Sequence, residues 1–173
     1  MSSVLKRIWL LGLAILCLPL AARAQLAAEP ASDIRWAALS GTGYRIAVPI
    51  DWTVATQPDF HKAVMTATNK DGTRSILVFV TAKPAFSLSR WKKALENASR
   101  ESSVSHIAEQ TVGERCFLTY DVAIGDMQAW AAVTEVADGL FVTVEFRALE
   151  SDKPRDGFAA MLEACLSTLE KEP

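Results

Sequence analysis

One stretch, residues 43–52, constrains the fold of this chain more than any other. From Tyr44 onward every second residue is large and apolar, as in a β-strand that buries one face. Pro49 ends the strand, because a proline has no N–H to donate to a neighbouring strand. Trp52 follows three residues later, and a large ring at such a place typically folds back over the core. The stretch therefore predicts a structural corner made by Tyr44, Pro49 and Trp52.

Further strands are predicted along the rest of the chain. They span residues 61–68, 74–81, 115–124, 127–136 and 140–148, while residues 34–39 fit a short strand or a helical turn equally well. The strand at 74–81 is apolar on both faces, so it must lie inside a sheet that is covered on both sides. A hairpin turn at Asn69–Gly72 precedes it, and short turns make the last three strands an antiparallel meander.

Two amphipathic helices are available to cover such a sheet. Ser87 or Ser89 can cap the first, which runs to about Arg100 and carries apolar residues at helical spacing. The second spans residues 154–169 with the same periodicity. The sequence therefore predicts one α+β domain, mainly antiparallel β-sheet with helices packed on both faces, which is an α/β/α sandwich.

The pattern Gly-Tyr-x-Ile-x-x-Pro-x-x-Trp, which starts at Gly43, resembles the opening of the PsbP-like superfamily. The order of predicted elements over residues 34–170 also matches the β-β-β-α-β-β-β-α plan of that superfamily. The resemblance implies a PsbP-like α+β domain over residues 34–173. Because the superfamily is functionally diverse and mostly non-enzymatic, the resemblance implies architecture more than activity.

The N-terminus has the composition of a secretory signal peptide. Lys6 and Arg7 precede an apolar run, residues 8–18, and Ala22-Arg23-Ala24 supplies a cleavage site. The run is about half as long as the ~20 residues of a membrane-spanning helix. Cys17 does not predict a lipoprotein, because leucine precedes it where a small residue is required. We expect a signal peptide at residues 1–24, a linker at 25–33, and a periplasmic or secreted domain.

The charge of the exported chain disfavours two classes of partner. The whole chain has 18 basic and 20 acidic residues, and three of the basic ones lie in the first 24 residues, so the remainder carries a net charge of −5. It has no basic stripe for nucleic acid and no cationic amphipathic segment for anionic lipid. Neither nucleic-acid binding nor membrane insertion after cleavage is expected.

The sequence offers few groups for catalysis. It has two histidines, His61 at the start of a strand and His106 in the serine-rich loop after the first helix, and neither lies near a nucleophile motif. The histidines and cysteines are too scattered for zinc, whose ligands normally come in closely spaced pairs. The carboxylates at 114, 121 and 126 fit a solvated sheet face and its turns. We assign no catalytic, cofactor-binding or metal-binding residue.

Two cysteines follow the leader, Cys116 on a predicted strand and Cys165 on the apolar face of the last helix. Export places both in an oxidising compartment, where they can form a disulfide that contributes roughly 4 kcal/mol in the chain-entropy model. The alternative is two separate buried thiols.

These observations favour a non-enzymatic exported protein whose domain binds an envelope protein partner or helps envelope assembly or stress tolerance. Two alternatives stay open: a small-ligand carrier with a pocket between sheet and helix, and an uncharacterised hydrolase whose site is assembled from distant residues. Among the tryptophans after the leader, Trp36 has the least assigned packing role.

Export gives the first testable prediction. The mature protein should begin at Gln25, because the Ala-x-Ala sequence ends at Ala24. N-terminal sequencing of the exported protein checks this. A product that begins at Met1, or at an acylated Cys17, would contradict it.

Overall fold

The computed structural model describes residues 33–57, 63–100, 104–125, 127–149 and 155–173. This part of the chain forms ten strands and two helices, which are β1 Ile34–Leu39, β2 Tyr44–Pro49, β3 Thr53–Thr56, β4 Met65–Thr68, β5 Arg74–Ala82, α1 Leu88–Ser99, β6 Val104–Val112, β7 Arg115–Ile124, β8 Met127–Ala137, β9 Leu140–Leu149, α2 Arg155–Ser167 and β10 Glu170–Lys171. The predicted α+β class is confirmed.

The strands form two antiparallel sheets. The larger has seven strands in the order β3-β4-β5-β9-β8-β7-β6, and the smaller has three in the order β1-β2-β10. Strands β7, β8 and β9 pair as the predicted meander. Strand β5 pairs with both β4 and β9, which places it inside the larger sheet as its apolar composition requires.

The larger sheet has a hydrophobic core on each face. One core joins this sheet to α2 and to the inner face of the smaller sheet, and it includes Ile46, Phe146 and Leu166. The other core joins the opposite face to α1, through Trp91 and Leu95. Ser87, one of the two predicted caps, caps α1, and its side chain accepts a hydrogen bond from the N–H of Arg90. The predicted sandwich is therefore correct, and the smaller sheet shares with α2 the task of covering one face.

The corner at the end of β2 is buried. Trp52 is 6% exposed, and its ring centroid lies 6.1 Å from that of Phe146 on β9. The hydroxyl of Tyr44 donates to the carbonyl of Val136 at 2.6 Å and so joins β2 to the far end of β8. Pro49 is also buried, at the last position of β2. These contacts connect the smaller sheet to the larger one.

Pro49 costs the ladder no hydrogen bond. The N–H of Ala47 points away from β1, toward Thr168, whose hydroxyl accepts it at 2.9 Å. Residue 49 has the same orientation, since alternate residues of a strand point their backbone groups the same way. On that side β10 pairs only with Tyr44 and Arg45. The missing N–H of the proline therefore faces no partner strand.

Three strands were not predicted, and their sequences explain why. Strands β3 and β10 have only four and two residues, too few to show an alternation. Strand β6 lies at the edge of the larger sheet and is mostly exposed. It carries polar residues on both faces, so it lacks the pattern of a half-buried strand. The prediction that His106 lies in a loop is wrong, because it lies on β6 at a bulge between Ser105 and Ala108.

One glycine turn fixes the approach to α1. Gly139, between β8 and β9, has φ of +67°, and its carbonyl accepts a hydrogen bond from the N–H of Lys83 at 2.7 Å. A Cβ at this position would lie 2.9 Å from the Cα of Pro84. Only glycine satisfies both the backbone conformation and this close contact.

The buried corner gives the second prediction. Trp52→Ala should lower the free energy of unfolding by about 3–5 kcal/mol, since it removes a large ring from the core. A domain has only about 5–15 kcal/mol of stability in total. Trp36→Ala is the matched control, because Trp36 is 44% exposed and should cost far less. Urea unfolding of the two variants measures both values, and equal losses would contradict the assignment of Trp52 to the core.

Candidate functional site

Two exposed apolar side chains share the outer face of the smaller sheet. Among the described residues, the large apolar side chains that are exposed are Ile34, Trp36 and Ile50, at 56%, 44% and 53%. Ile34 and Trp36 lie on β1, and Ile50 follows β2 directly, where its N–H donates to the carbonyl of Asp33 at 2.7 Å. Grouped exposed apolar residues mark sites of interaction more often than single ones do. Ile50 pairs with Asp33, so by strand alternation it does not share the face of Ile34 and Trp36, and we call Ile34 and Trp36 the apolar patch.

Strand alternation explains why β1 has an exposed apolar face. Ala37 and Leu39 point inward and are buried, so Ile34 and Trp36 point to the outer face. Trp36 is the partner of Ala47 in the β1–β2 register. Because partners across an antiparallel pair share a face, the indole ring lies beside a small side chain that leaves it room.

Arg45 holds the ring of Trp36 in place. Its guanidinium carbon lies 4.3 Å from the ring centroid of Trp36, a cation–π contact. Arg45 Nε donates to Glu170 Oε1 at 2.8 Å, and its Nη2 contacts the same oxygen. The chain Trp36–Arg45–Glu170 thus runs across β1, β2 and β10. A ring whose orientation is already fixed loses little entropy when a partner binds it.

The other tryptophans of the described chain have packing roles. Trp52 is buried at the corner, and Trp130 is 9% exposed within the same core. The ring of Trp91 lies 5.4 Å from that of Phe141, and Phe86 contacts both rings. These three rings fill the space between α1 and the larger sheet. Trp36 alone among them is exposed.

His106 makes a polar contact that does not have the geometry of a catalytic triad. Its Nδ1 lies 2.8 Å from Asp121 Oδ2 and 3.4 Å from Ser105 Oγ. In a triad the serine and the carboxylate contact different ring nitrogens, so that one nitrogen accepts the serine proton while the carboxylate orients the ring through the other. Here both contacts use Nδ1. The side chain of His106 is also 66% exposed, whereas triad histidines are oriented within a site.

The remaining polar candidates do not come together in the described chain. His61 and Asp126 lie outside the described residues. Glu114 is exposed in the turn between β6 and β7. No group of three or more His, Cys, Asp or Glu side chains able to hold a metal ion occurs within the described ranges.

The structure does not join Cys116 to Cys165, so the disulfide interpretation is corrected. Both cysteines are free, Cys116 exposed and Cys165 buried. The physical reason is strand alternation. Phe117 lies in the same core as Cys165. Its neighbour Cys116 therefore points to the opposite face of the larger sheet, as does Leu118, which lies in the other core. The two thiols are thus on opposite sides of the sheet.

Burial also makes Cys165 chemically inert. Loss of solvent around the thiol raises its pKa to about 12. The thiolate is the reactive form, so a buried thiol with a raised pKa reacts slowly.

Sequence reasoning singled out Trp36 but missed the other residues of the site. Ile34 begins the segment 34–39, and one apolar residue at such a place is ordinary. Arg45 is a polar position within the strand that starts at Tyr44, and Glu170 follows the last predicted helix. The available signal is the alternation Ile34-x-Trp36 on a segment that fits either a strand or a helical turn.

No helix in the described part of the chain is long and apolar enough to cross a membrane.

Comparison with solved structures shows a PsbP-like fold. PsbP from the cyanobacterium Synechocystis sp. PCC 6803 has a TM-score of 0.56 and 14% identity, over 84% of this chain and 96% of that one. LpqN, involved in cell envelope biogenesis of Mycobacterium tuberculosis, has a TM-score of 0.53 and 10% identity, over 82% of this chain and 91% of that one. No family model and no curated protein matches the sequence. The predicted fold is confirmed, and identities this low show the fold alone.

The cysteine geometry gives the third prediction. In the native mature protein at about pH 8, Cys116 should react readily with a thiol reagent, while Cys165 should react only after unfolding. Cys116→Ser should remove the fast reaction, and Cys165→Ser should leave it. Absence of any reactive thiol in the unfolded, unreduced mature protein would show instead that the bridge forms.

Proposed function

We propose that this protein is an exported, non-enzymatic module of the bacterial envelope, which acts by binding a protein partner in envelope assembly or stress tolerance. The observation that carries the proposal is the apolar patch, with Trp36 stacked under Arg45. Tryptophan and arginine are among the residues that contribute most to binding at protein interfaces. In this protein they lie together on an exposed face.

The surroundings of the patch also suit a protein partner. Such interfaces combine an apolar centre with a polar rim. Here Arg45 and Glu170 form an ion pair at the margin, with both side chains partly exposed. An exposed pair of this kind contributes little to stability. Its more useful effect is to fix the ring of Trp36 before a partner arrives.

Two further considerations support a role in the envelope. The N-terminal leader predicts export. LpqN, which has the same fold, is described as involved in cell envelope biogenesis. Because one fold can serve many functions, this likeness supports the location of the role and not its details.

The two alternative functions, a hydrolase and a small-ligand carrier, have less support. A hydrolase that uses His106 would need a nucleophile at Nε2, and the two described contacts of its ring are at Nδ1. A carrier with a pocket beneath α1 would have to displace the rings of Phe86, Trp91 and Phe141, which are in mutual contact.

The fourth prediction tests the patch. Affinity capture from an envelope extract with the mature protein should retain specific proteins, and Trp36→Ser should reduce their retention about tenfold or more. Truncating a central interface tryptophan typically costs 2 kcal/mol or more, and 1.4 kcal/mol is a factor of ten. Lys93→Ser is the matched control, because this exposed residue lies on α1, beyond the opposite face of the larger sheet.

A second control separates binding from catalysis. The double variant His61→Ala, His106→Ala should keep both partner capture and the ability to rescue a deletion strain. Unchanged retention by Trp36→Ser would overturn the docking role of the patch. A folded double-histidine variant that captures the partner but cannot rescue would favour an enzyme.

A further inference from the structure

Strand β1 lies at an edge of the smaller sheet, because the strand order is β1-β2-β10. Its register with β2 is unbroken from Ile34 to Leu39, with no bulge and no proline within β1. An edge strand presents a row of backbone groups that can pair with another strand.

The outward-facing backbone groups of β1 can be identified from the ladder. The hydrogen bond from Ile50 N–H to Asp33 C=O shows that residue 33 directs its carbonyl toward β2. Backbone direction alternates along a strand, so the groups of Ile34, Trp36 and Ala38 face outward. Their side chains share the outer face of the sheet, and all three are exposed. Within the described chain, no other strand pairs with this edge.

The other strand edges are poorer templates. Strand β10 has two residues and β3 has four. Strand β6 is longer, but a bulge interrupts its register and His106 there has φ of +52°. Short strands and bulges are devices that keep edges from pairing. The one charged residue in β1, Arg35, donates to the carbonyl of Trp52 within its own chain. It therefore does not discourage another strand from pairing with this edge.

We propose that a second copy of this chain pairs with β1 by antiparallel strand addition, with the two-fold axis at Trp36. This inference rests on the proposed function, because it uses the same surface. Pairing engages the backbone edge and leaves the side chains of the outer face exposed. The two apolar patches then join on one continuous six-stranded face, which is the surface offered to the envelope partner.

The register favours a copy of the same chain. With the axis at Trp36, the two indole rings are neighbours, and Ile34 of each chain lies beside Ala38 of the other, a large side chain beside a small one. On the inner face Arg35 lies opposite Ala37, so no like charges meet although each mature chain is acidic. A register shifted to place the axis at Arg35 would oppose two arginines, which is unfavourable.

The size of the patch also favours pairing with a second copy of this chain. A standard stable interface buries about 800 Å² on each partner, which usually involves some 20–30 residues a side. A patch with two large side chains is much smaller. Strand addition supplements it with backbone hydrogen bonds and, by joining two patches, doubles the apolar surface available to a larger partner.

Sedimentation equilibrium of the mature protein, purified after expression of the full chain, tests the dimer. The wild type should dimerise with rising concentration, and Ala38→Pro should weaken dimerisation at least tenfold. Proline removes an N–H that points outward, so the β1–β2 ladder stays intact. Ala38→Ser is the matched control, because it keeps that N–H and should dimerise like the wild type. Thermal unfolding checks that each variant folds. If Ala38→Pro does not fold, weakened dimerisation of Trp36→Ser provides a second test.

Cross-linking tests the register. In a Cys116→Ser background, Trp36→Cys should form a disulfide-linked dimer on mild oxidation, since residues on the axis face each other across the pair. Ile34→Cys is the matched control. Its two copies would be four residues apart along the strand, or roughly 13 Å, which exceeds the ~7 Å limit for a disulfide. Cross-linking by Ile34→Cys, or by neither variant, would overturn the proposed register.

The outcomes separate this inference from the proposed function. A wild-type protein that remains monomeric at every concentration overturns the dimer, while capture that is sensitive to Trp36→Ser would still support docking. A dimer whose capture of envelope proteins is unaffected by Trp36→Ser would confirm the pairing and overturn the docking role.

Discussion

The structure depends on the need to cover both faces of the seven-stranded sheet. Strands β5 and β9 lie in its middle and carry apolar residues toward both sides. Neither helix is large enough to cover a sheet of this width alone. On one face α1 packs through an aromatic cluster, and the other face is covered by α2 together with the smaller sheet. The buried apolar area that results is the main favourable term in folding.

The smaller sheet has a different constraint, because only its inner face meets the core. Ile46 and Val48 are buried in that core, while the other face of the same sheet points to solvent. Polar residues would suit this outer face best, yet it carries Ile34 and Trp36. Exposed apolar residues add nothing to the core. Their exposure is the observation on which the proposed partner site depends.

Much of the fold could be predicted from local patterns, and the site could not. The meander, strand β5 and both helices follow from periodicity, which reports the buried face of an element. The edge strand β6 is polar on both faces and shows no such signal. The site depends on Arg45 and Glu170, which are 125 residues apart in sequence and meet only because β10 pairs with β2. No local pattern encodes that pairing.

The cysteines show how one elementary rule limits inference from sequence. A strand and a helix that pack together can bring two cysteines close, which made a bridge reasonable. Whether they meet depends on which face of the strand carries the cysteine, and a shift of one residue reverses it. Phe117 occupies the face toward α2, so its neighbour Cys116 does not. The same alternation that separates the thiols also turns Trp36 outward while Ala37 packs inward, so one rule decides which side chains of β1 join the core and which face solvent.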